Sequence, residues 1–208
     1  MITVWGGQTS RSLRVVWVLE EMGLPYRVRQ VNMLAAEQDS EFLSVSPADY
    51  IPAIQDGDVA MVESIAIMEY LMARYGPTPI APAPSDSNFA AYQQFLHLGE
   101  AGLATLMMPI VVSRIIAPET ESDNWGANWC LQSVQKRLGL VSQQLSRSLY
   151  LAGDTFTAAD ISVTYALSLG QRNCGIILGD AEQAYLERTM ARDAYKRAME
   201  RSHEGVIG

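Results

Sequence analysis

The sequence predicts an α/β region followed by an all-helical region, and three observations carry that prediction. Over the first 76 residues, short apolar runs of strand length alternate with segments whose apolar residues recur at helical spacing. Residues 76–88, GPTPIAPAPSDSN, hold four prolines in thirteen positions, a density that neither a helix nor a central strand tolerates. Beyond them the strand signals fade and every long segment reads as helix.

The elements follow in order. "ITVWG" is a buried strand that ends in the loop-forming pair Gly6-Gly7. Ser12 to Met22 places Leu13, Val16, Trp17 and Leu19 at helical spacing, and Gly23 supplies the stop. Pro25 to Met33 alternates toward a second strand, completing a strand-helix-strand crossover. Ser40 to Pro47 is a short helical or irregular connector. Ile51–Ile54 and Val59–Val62 read as two strands joined by the turn Asp56-Gly57-Asp58, a hairpin. The next helix carries Ile65, Met68, Leu71 and Met72 on one face and closes at Gly76. The expected organisation is a βαβ-ββα domain over 1–76, a linker over 77–88 and a helical domain over 89–208. That last domain holds helices within 88–116, 124–148, 157–173 and 182–201.

Composition narrows the function. Of 208 residues, 49% are apolar and 18% charged, the balance of a folded globular chain. A net charge of −8 argues against a general binder of nucleic acid or anionic membrane, because phosphate contacts need clustered Lys and Arg. The N-terminus lacks the basic start and apolar core of a signal peptide, and no apolar run approaches the ~20 residues of a membrane span, so a cytoplasmic protein is expected. Cys130 and Cys174 have no metal-ligand spacing and fall in separate helices, so reduced thiols and no metal are expected. With only His97 and His203 present, zinc hydrolysis and a Ser-His-Asp triad are poor fits.

Two features inside Asp49–Gly76 stand out. Pro52 lies between apolar residues, where a proline is disfavoured unless the strand is at an edge or the peptide is unusual. It is either a trans proline at a strand start or a cis bond, and the cis form would leave the backbone of Ile51 available to an extended peptide ligand. Ser64 is a helix N-cap, and a helix start also favours anions. Glu63 just before it is an acceptor for an ammonium group. The pair is therefore either ordinary capping and solvation or a receptor for an α-amino-acid head group.

The series "TSRSLRVVWVLEEMGLPY", "SPADYIPAI", "VESIAIMEYL" and "YLAGDTFTAADIS" resembles the cytosolic glutathione S-transferases, in a serine-type, bacterial-like class, over essentially the whole chain. The resemblance implies an N-terminal thioredoxin-like domain that binds glutathione and a helical domain that supplies most of the second substrate's pocket. It implies a cis Pro52, pairing of Ile51 with the cysteinyl part of glutathione, and reception of the γ-glutamyl head by Glu63 and Ser64. Phe156 to Ile161 matches the family's buried capping box, with Thr157 as N-cap and Asp160 reaching back, a structural role.

Family chemistry requires a thiolate, whereas a free thiol of pKa ~8.5 is only a few per cent ionised at neutral pH. The device implied is a hydroxyl after the first strand that donates to the sulfur. The loop "GGQTSRS" offers Thr9, Ser10 and Ser12, and Ser10, with Thr9 as the alternative, is the expected thiolate stabiliser. The competing reading is that these hydroxyls only cap the first helix. A loop without Cys argues against the lyase and thiol-transfer branches. Relatives often carry Lys where this chain has Tyr50, so the glycyl carboxylate is expected to fall to Gln38 or another residue.

On the long helix, Glu100, Ala104, Met107, Val111 and Arg114 share one face. Met107, Val111 and Arg114 are either the lining of the second-substrate pocket or a bundle core with Arg114 at its edge. His97 is expected to be packed or at an interface, and Glu100 to serve a dimer interface or the partner's glutathione. The function implied is a homodimeric transferase that adds glutathione, its co-substrate, to an apolar electrophile. The alternatives are a non-catalytic ligand-binding or regulatory member, and a narrow glutathione-dependent isomerase, peroxidase or etherase.

Overall fold

The computed structural model describes residues 1–7, 10–33 and 39–204. It divides into two compact units, Met1–Thr78 with Ala191–Gly208, and Pro79–Met190.

In the first unit, β1 (Ile2–Gly6), α1 (Ser12–Met22) and β2 (Tyr26–Gln30) form the parallel crossover, and α2 (Ser40–Val45) leads to the hairpin β3 (Ala53–Asp56) and β4 (Val59–Val62), then α3 (Ser64–Tyr75). The sheet order is β2-β1-β3-β4. β1 pairs parallel with β2, Ile2 opposite Tyr26, and antiparallel with β3, Trp5 opposite Ala53. Every residue of β1 is buried, as expected of a central strand covered on both faces. Trp5, Phe42, Val45 and Ala53 form a core cluster on which Val31, Ile51 and Val62 also pack. Gly23 ends α1 in the left-handed conformation, which glycine adopts without a Cβ penalty.

The expected single helix over 182–201 is two helices, α8 (Asp180–Met190) and α9 (Asp193–His203). Arg192 between them is extended, with φ −63° and ψ 137°. The break sends the two halves to different units. α9 packs on α1: Tyr195 meets Trp17 edge-on with ring centroids 4.8 Å apart, and Arg192 forks onto Glu21 at 2.7 and 2.8 Å. Arg197 donates to Glu20 at 2.6 Å, and the Gln30 amide donates to the carbonyls of Ser202 and Glu204, each at 2.9 Å. The helical region expected over 89–208 thus gives up its last helix to the sheet-bearing unit. Ile51–Pro52 is cis, as the resemblance implied, and so is Gly76–Pro77.

The second unit is helical: α4 (Phe89–His97), α5 (Thr105–Val111), α6 (Trp125–Leu145), α7 (Ala158–Asn173) and α8. Wider turns of π-helix over Leu98–Ala104 and Val112–Ile116 make Phe89–Ile116 one continuous helical stretch. The expectation that no apolar run approaches membrane-span length is corrected here, since this 28-residue stretch is long enough and contains an 18-residue window of mean hydropathy 1.6. Its buried residues Tyr92, Phe95, Leu96, Leu103, Met107 and Ile110 recur at helical spacing, the pattern of a helix packed against protein. Gly99 permits that packing, because a Cβ there would collide with Ser162 of α7.

α7 is buried from Ala158 through Gly170 and starts at the capping box. Asp160 accepts from the Thr157 N–H at 2.8 Å, the Leu151 N–H at 3.0 Å and the Tyr185 hydroxyl at 3.0 Å. Burial pushes its carboxyl from 3.8 up to about 6, against the pull of these donors. A folded-state pKa above the unfolded value makes the contribution largest below pH ~4 and loses it as pH rises through ~6. Asp160→Asn, which leaves buried N–H donors poorly matched, should lower stability by about 2–4 kcal/mol. The gap between wild type and this variant should narrow between pH 4 and pH 7 in urea melts; a gap that widens would contradict the assignment.

Candidate functional site

The site in the first unit is built where β1 runs into α1. Gly6 and Gly7 take φ of 149° and 124°, outside the range of most residues with a Cβ. A Cβ on Gly6 would lie 2.5 Å from that of Ser12, and one on Gly7 would overlap the Gln30 amide. The crowding brings the loop backbone onto the first turn of α1. Ser12 is fully buried and accepts from the Gly7 N–H at 2.8 Å. The Ser10 hydroxyl, partly exposed, donates to the Gly7 carbonyl at 2.8 Å and lies 2.7 Å from the Ser12 hydroxyl. It also accepts from the Ser12 N–H at 3.3 Å. Thr9 lies outside the described residues, as does Gln38.

One turn along α1, Arg14 is fully buried and its guanidinium donates to the Ser64 hydroxyl at 3.2 Å. This contact fixes the start of α3 to α1 and adds positive charge where a helix N-terminus already favours anions. Ser64 is buried and is the first residue of α3, with Glu63 at the cap position, one place earlier than expected from the sequence. Glu63 is exposed and held at φ 74°, ψ 104°, a conformation that non-glycine residues adopt only when surrounding structure imposes it.

The third component is the segment before β3. Its ladders start at Ala53, so Ile51 belongs to neither register, while its side chain packs on the Trp5 cluster. The segment is braced by Ser46, a fully buried hydroxyl that accepts from the Tyr50 N–H at 3.0 Å and donates to the Tyr50 carbonyl at 2.9 Å. Tyr50 itself is exposed. Arg14 and Ser46 were not singled out from sequence. The available signal for Arg14 was a lone cation inside an apolar helix; for Ser46, a serine directly before Pro47.

The residues proposed for a second pocket lie in the helical unit. Met107 is fully buried, within 3.1 Å of where a Gly170 Cβ would stand. Its carbonyl accepts from the Cys174 thiol at 3.9 Å, and burial pushes that thiol's pKa up, the state of an inert core cysteine. Val111 is half-buried and Arg114 exposed, its guanidinium donating to the Cys174 carbonyl at 3.2 Å. Within this unit Met107 is core and Arg114 lies at its edge. His97 is exposed, and Glu100 accepts from the Thr105 hydroxyl at 2.9 Å. Among the described residues no group of three metal-ligating side chains is present.

Glu63→Gly should relieve backbone strain of about 1–3 kcal/mol, less about 0.5–1 kcal/mol of added unfolded-state entropy. A net gain of about 1 kcal/mol in urea melts is expected, and a loss would show that the conformation is not strained.

Comparison with known proteins supplies the context. Residues 1–73 match the family described as glutathione S-transferase, N-terminal domain. The chain is 31% identical over 169 residues to "Probable glutathione S-transferase GSTF1" of Oryza sativa subsp. japonica, covering 77% of each protein. Its fold is similar to that of BphK, a bacterial GST solved as a ternary complex, with TM-score 0.83, 27% identity and coverage of 96% and 98%. It is also similar to a theta class glutathione S-transferase from Xanthomonas axonopodis pv. citri solved with glutathione bound, with TM-score 0.80, 25% identity and coverage of 95% and 96%.

Proposed function

The chain belongs to the glutathione S-transferase family, and from that premise we propose that it binds glutathione on its N-terminal unit and holds the sulfur as thiolate for attack on an apolar electrophile. The observation that carries this reading is the start of α3, where an exposed Glu63 in an imposed conformation adjoins a buried Ser64 held by a buried Arg14. An acceptor for ammonium beside a positively biased helix start matches the zwitterionic γ-glutamyl head.

In this mechanism the Ile51 backbone pairs with the cysteinyl residue in the manner of an added strand. The γ-glutamyl carboxylate meets Ser64 and the N–H groups of α3, and its ammonium meets Glu63. The sulfur faces Ser10, and Thr9 is the alternative donor. The thiol loses its proton to solvent, and the Ser10 hydroxyl keeps its own while donating a hydrogen bond to the thiolate. Each unit by which the thiol pKa falls corresponds to about 1.4 kcal/mol of preference for the anion. Tyr50 carries no positive charge, so the glycyl carboxylate is assigned to Gln38 or another residue. Val111 and Arg114 are assigned to the second-substrate side, and Met107, fully buried, to the core. The protein acts in the cytoplasm as a homodimer.

A second reading, a member that binds glutathione without turnover, has one observation in its favour: the Ser10 hydroxyl already has a partner in the Gly7 carbonyl. Calorimetric titration of reduced glutathione separates the two. Binding is expected, with Glu63→Ala raising Kd about tenfold, the loss of one charge-assisted contact. Ultraviolet titration should place the bound thiol at least one unit below its free pKa of ~8.5, and Ser10→Ala should raise it by about one unit. Binding with an unshifted thiol supports the second reading, and no binding ends both.

A further inference from the structure

We propose that Ser12 is a positioning residue for thiolate stabilisation: buried beneath Ser10, it donates to the Ser10 oxygen in a hydrogen-bond relay that starts at the Gly7 N–H, which leaves the Ser10 hydroxyl proton free to turn to the sulfur. The inference rests on Ser10 being the thiolate's donor.

Counting protons gives the direction of the relay. The Gly7 N–H donates to Ser12 Oγ at 2.8 Å, so that oxygen already acts as an acceptor. Ser10 Oγ lies 2.8 Å from the Gly7 carbonyl, to which only a hydroxyl proton can be given. Ser12 Oγ is 3.4 Å from the same carbonyl but 2.7 Å from Ser10 Oγ. Each hydroxyl has one proton. The arrangement that uses the short contacts is Gly7 N–H to Ser12 Oγ, Ser12 O–H to Ser10 Oγ, and Ser10 O–H to the Gly7 carbonyl. The chain of donors leaves the Gly7 amide and returns to its own carbonyl.

Two consequences follow. Successive donors polarise one another, so a hydroxyl that accepts from Ser12 and from the Ser12 N–H at 3.3 Å is a stronger donor than an isolated serine. When a thiolate arrives, only the last contact changes: the Ser10 proton swings from the Gly7 carbonyl to the sulfur, and no buried hydrogen bond of Ser12 breaks. That carbonyl keeps the Ser10 N–H at 3.4 Å as a donor. Without Ser12, the Gly7 N–H loses its acceptor and Ser10 Oγ loses the donor that orients it. The site is shaped for this side chain, because Gly6 lacks the Cβ that would stand 2.7 Å from Ser12 Oγ.

The test is a double-mutant cycle on the full chain with Ser10→Ala, Ser12→Ala and both together, read by ultraviolet titration of bound reduced glutathione. Calorimetry with S-methylglutathione, whose sulfur cannot ionise, reports binding apart from thiolate stabilisation. Ser12→Ala is expected to raise the bound thiol's pKa by about half to one unit, with S-methylglutathione Kd within about twofold of wild type. In the Ser10→Ala background it should add no further shift. An unchanged pKa, an equal shift in both backgrounds, or an S-methylglutathione affinity that falls about tenfold overturns the relay. If Ser12→Ala does not fold, Ser12→Cys takes its place, and a weak S–H donor should give an intermediate shift, with no shift overturning the proposal. If Ser10→Ala leaves the thiol pKa at the wild-type value, or the wild type does not bind glutathione, the reading of Ser10 fails and the relay with it. A shift for Ser10→Ala but none for Ser12→Ala sinks the relay alone.

Discussion

The passage from β1 into α1 has no room for a Cβ at Gly6, and the arrangement of the site depends on that close approach. A buried strand must turn into a buried helix within a few residues, and the turn leaves backbone groups that need partners. Ser12 meets one of them from inside the helix, and Ser10 meets another from the loop. α1 also carries Arg14, whose guanidinium reaches the first residue of α3. Loop hydroxyls and the start of α3 are therefore positioned by one element.

The charges of this unit fall into two kinds. Glu20 and Glu21 on α1 meet Arg197 and Arg192 from the C-terminal segment. Arg197 is about half exposed, and such pairs add little stability in water; their effect is to fix which face of α9 meets α1, alongside the Trp17–Tyr195 contact. Arg14 is different, because it is wholly buried and meets a hydroxyl that also begins a helix. A guanidinium in that place biases the N-terminus of α3 toward an anion, which surface pairs do not do.

In the helical unit the organising element is α7, buried over most of its length and anchored at its start by Asp160. One carboxylate answers donors from three places in the chain: Leu151, Thr157 and Tyr185. Such a cap acts as a fold determinant because each donor would be orphaned in its absence.

The sequence by itself determined the element order through α7 and the glycine stop of α1, since each is a signal within a few residues, while the pairing of Thr157 with Asp160 came from the family resemblance. It also named Ser10, Ile51, Pro52, Glu63 and Ser64 as one constellation, though only through family resemblance. Three things were decided by tertiary structure. Arg14 finds Ser64 fifty positions away, a contact no local periodicity encodes. α9 belongs with the sheet-bearing unit because Tyr195 packs on Trp17 and arginines of that segment meet Glu20 and Glu21, all more than 170 positions away, whereas the continuous helical pattern across 182–201 hid the break at Arg192. The distinction between the Ser10 and Ser12 hydroxyls depended on burial and on which oxygen the Gly7 amide reaches. Composition and spacing report what a residue is able to do, and only the folded backbone at Gly6 and Gly7 fixes which atoms stand within hydrogen-bond reach.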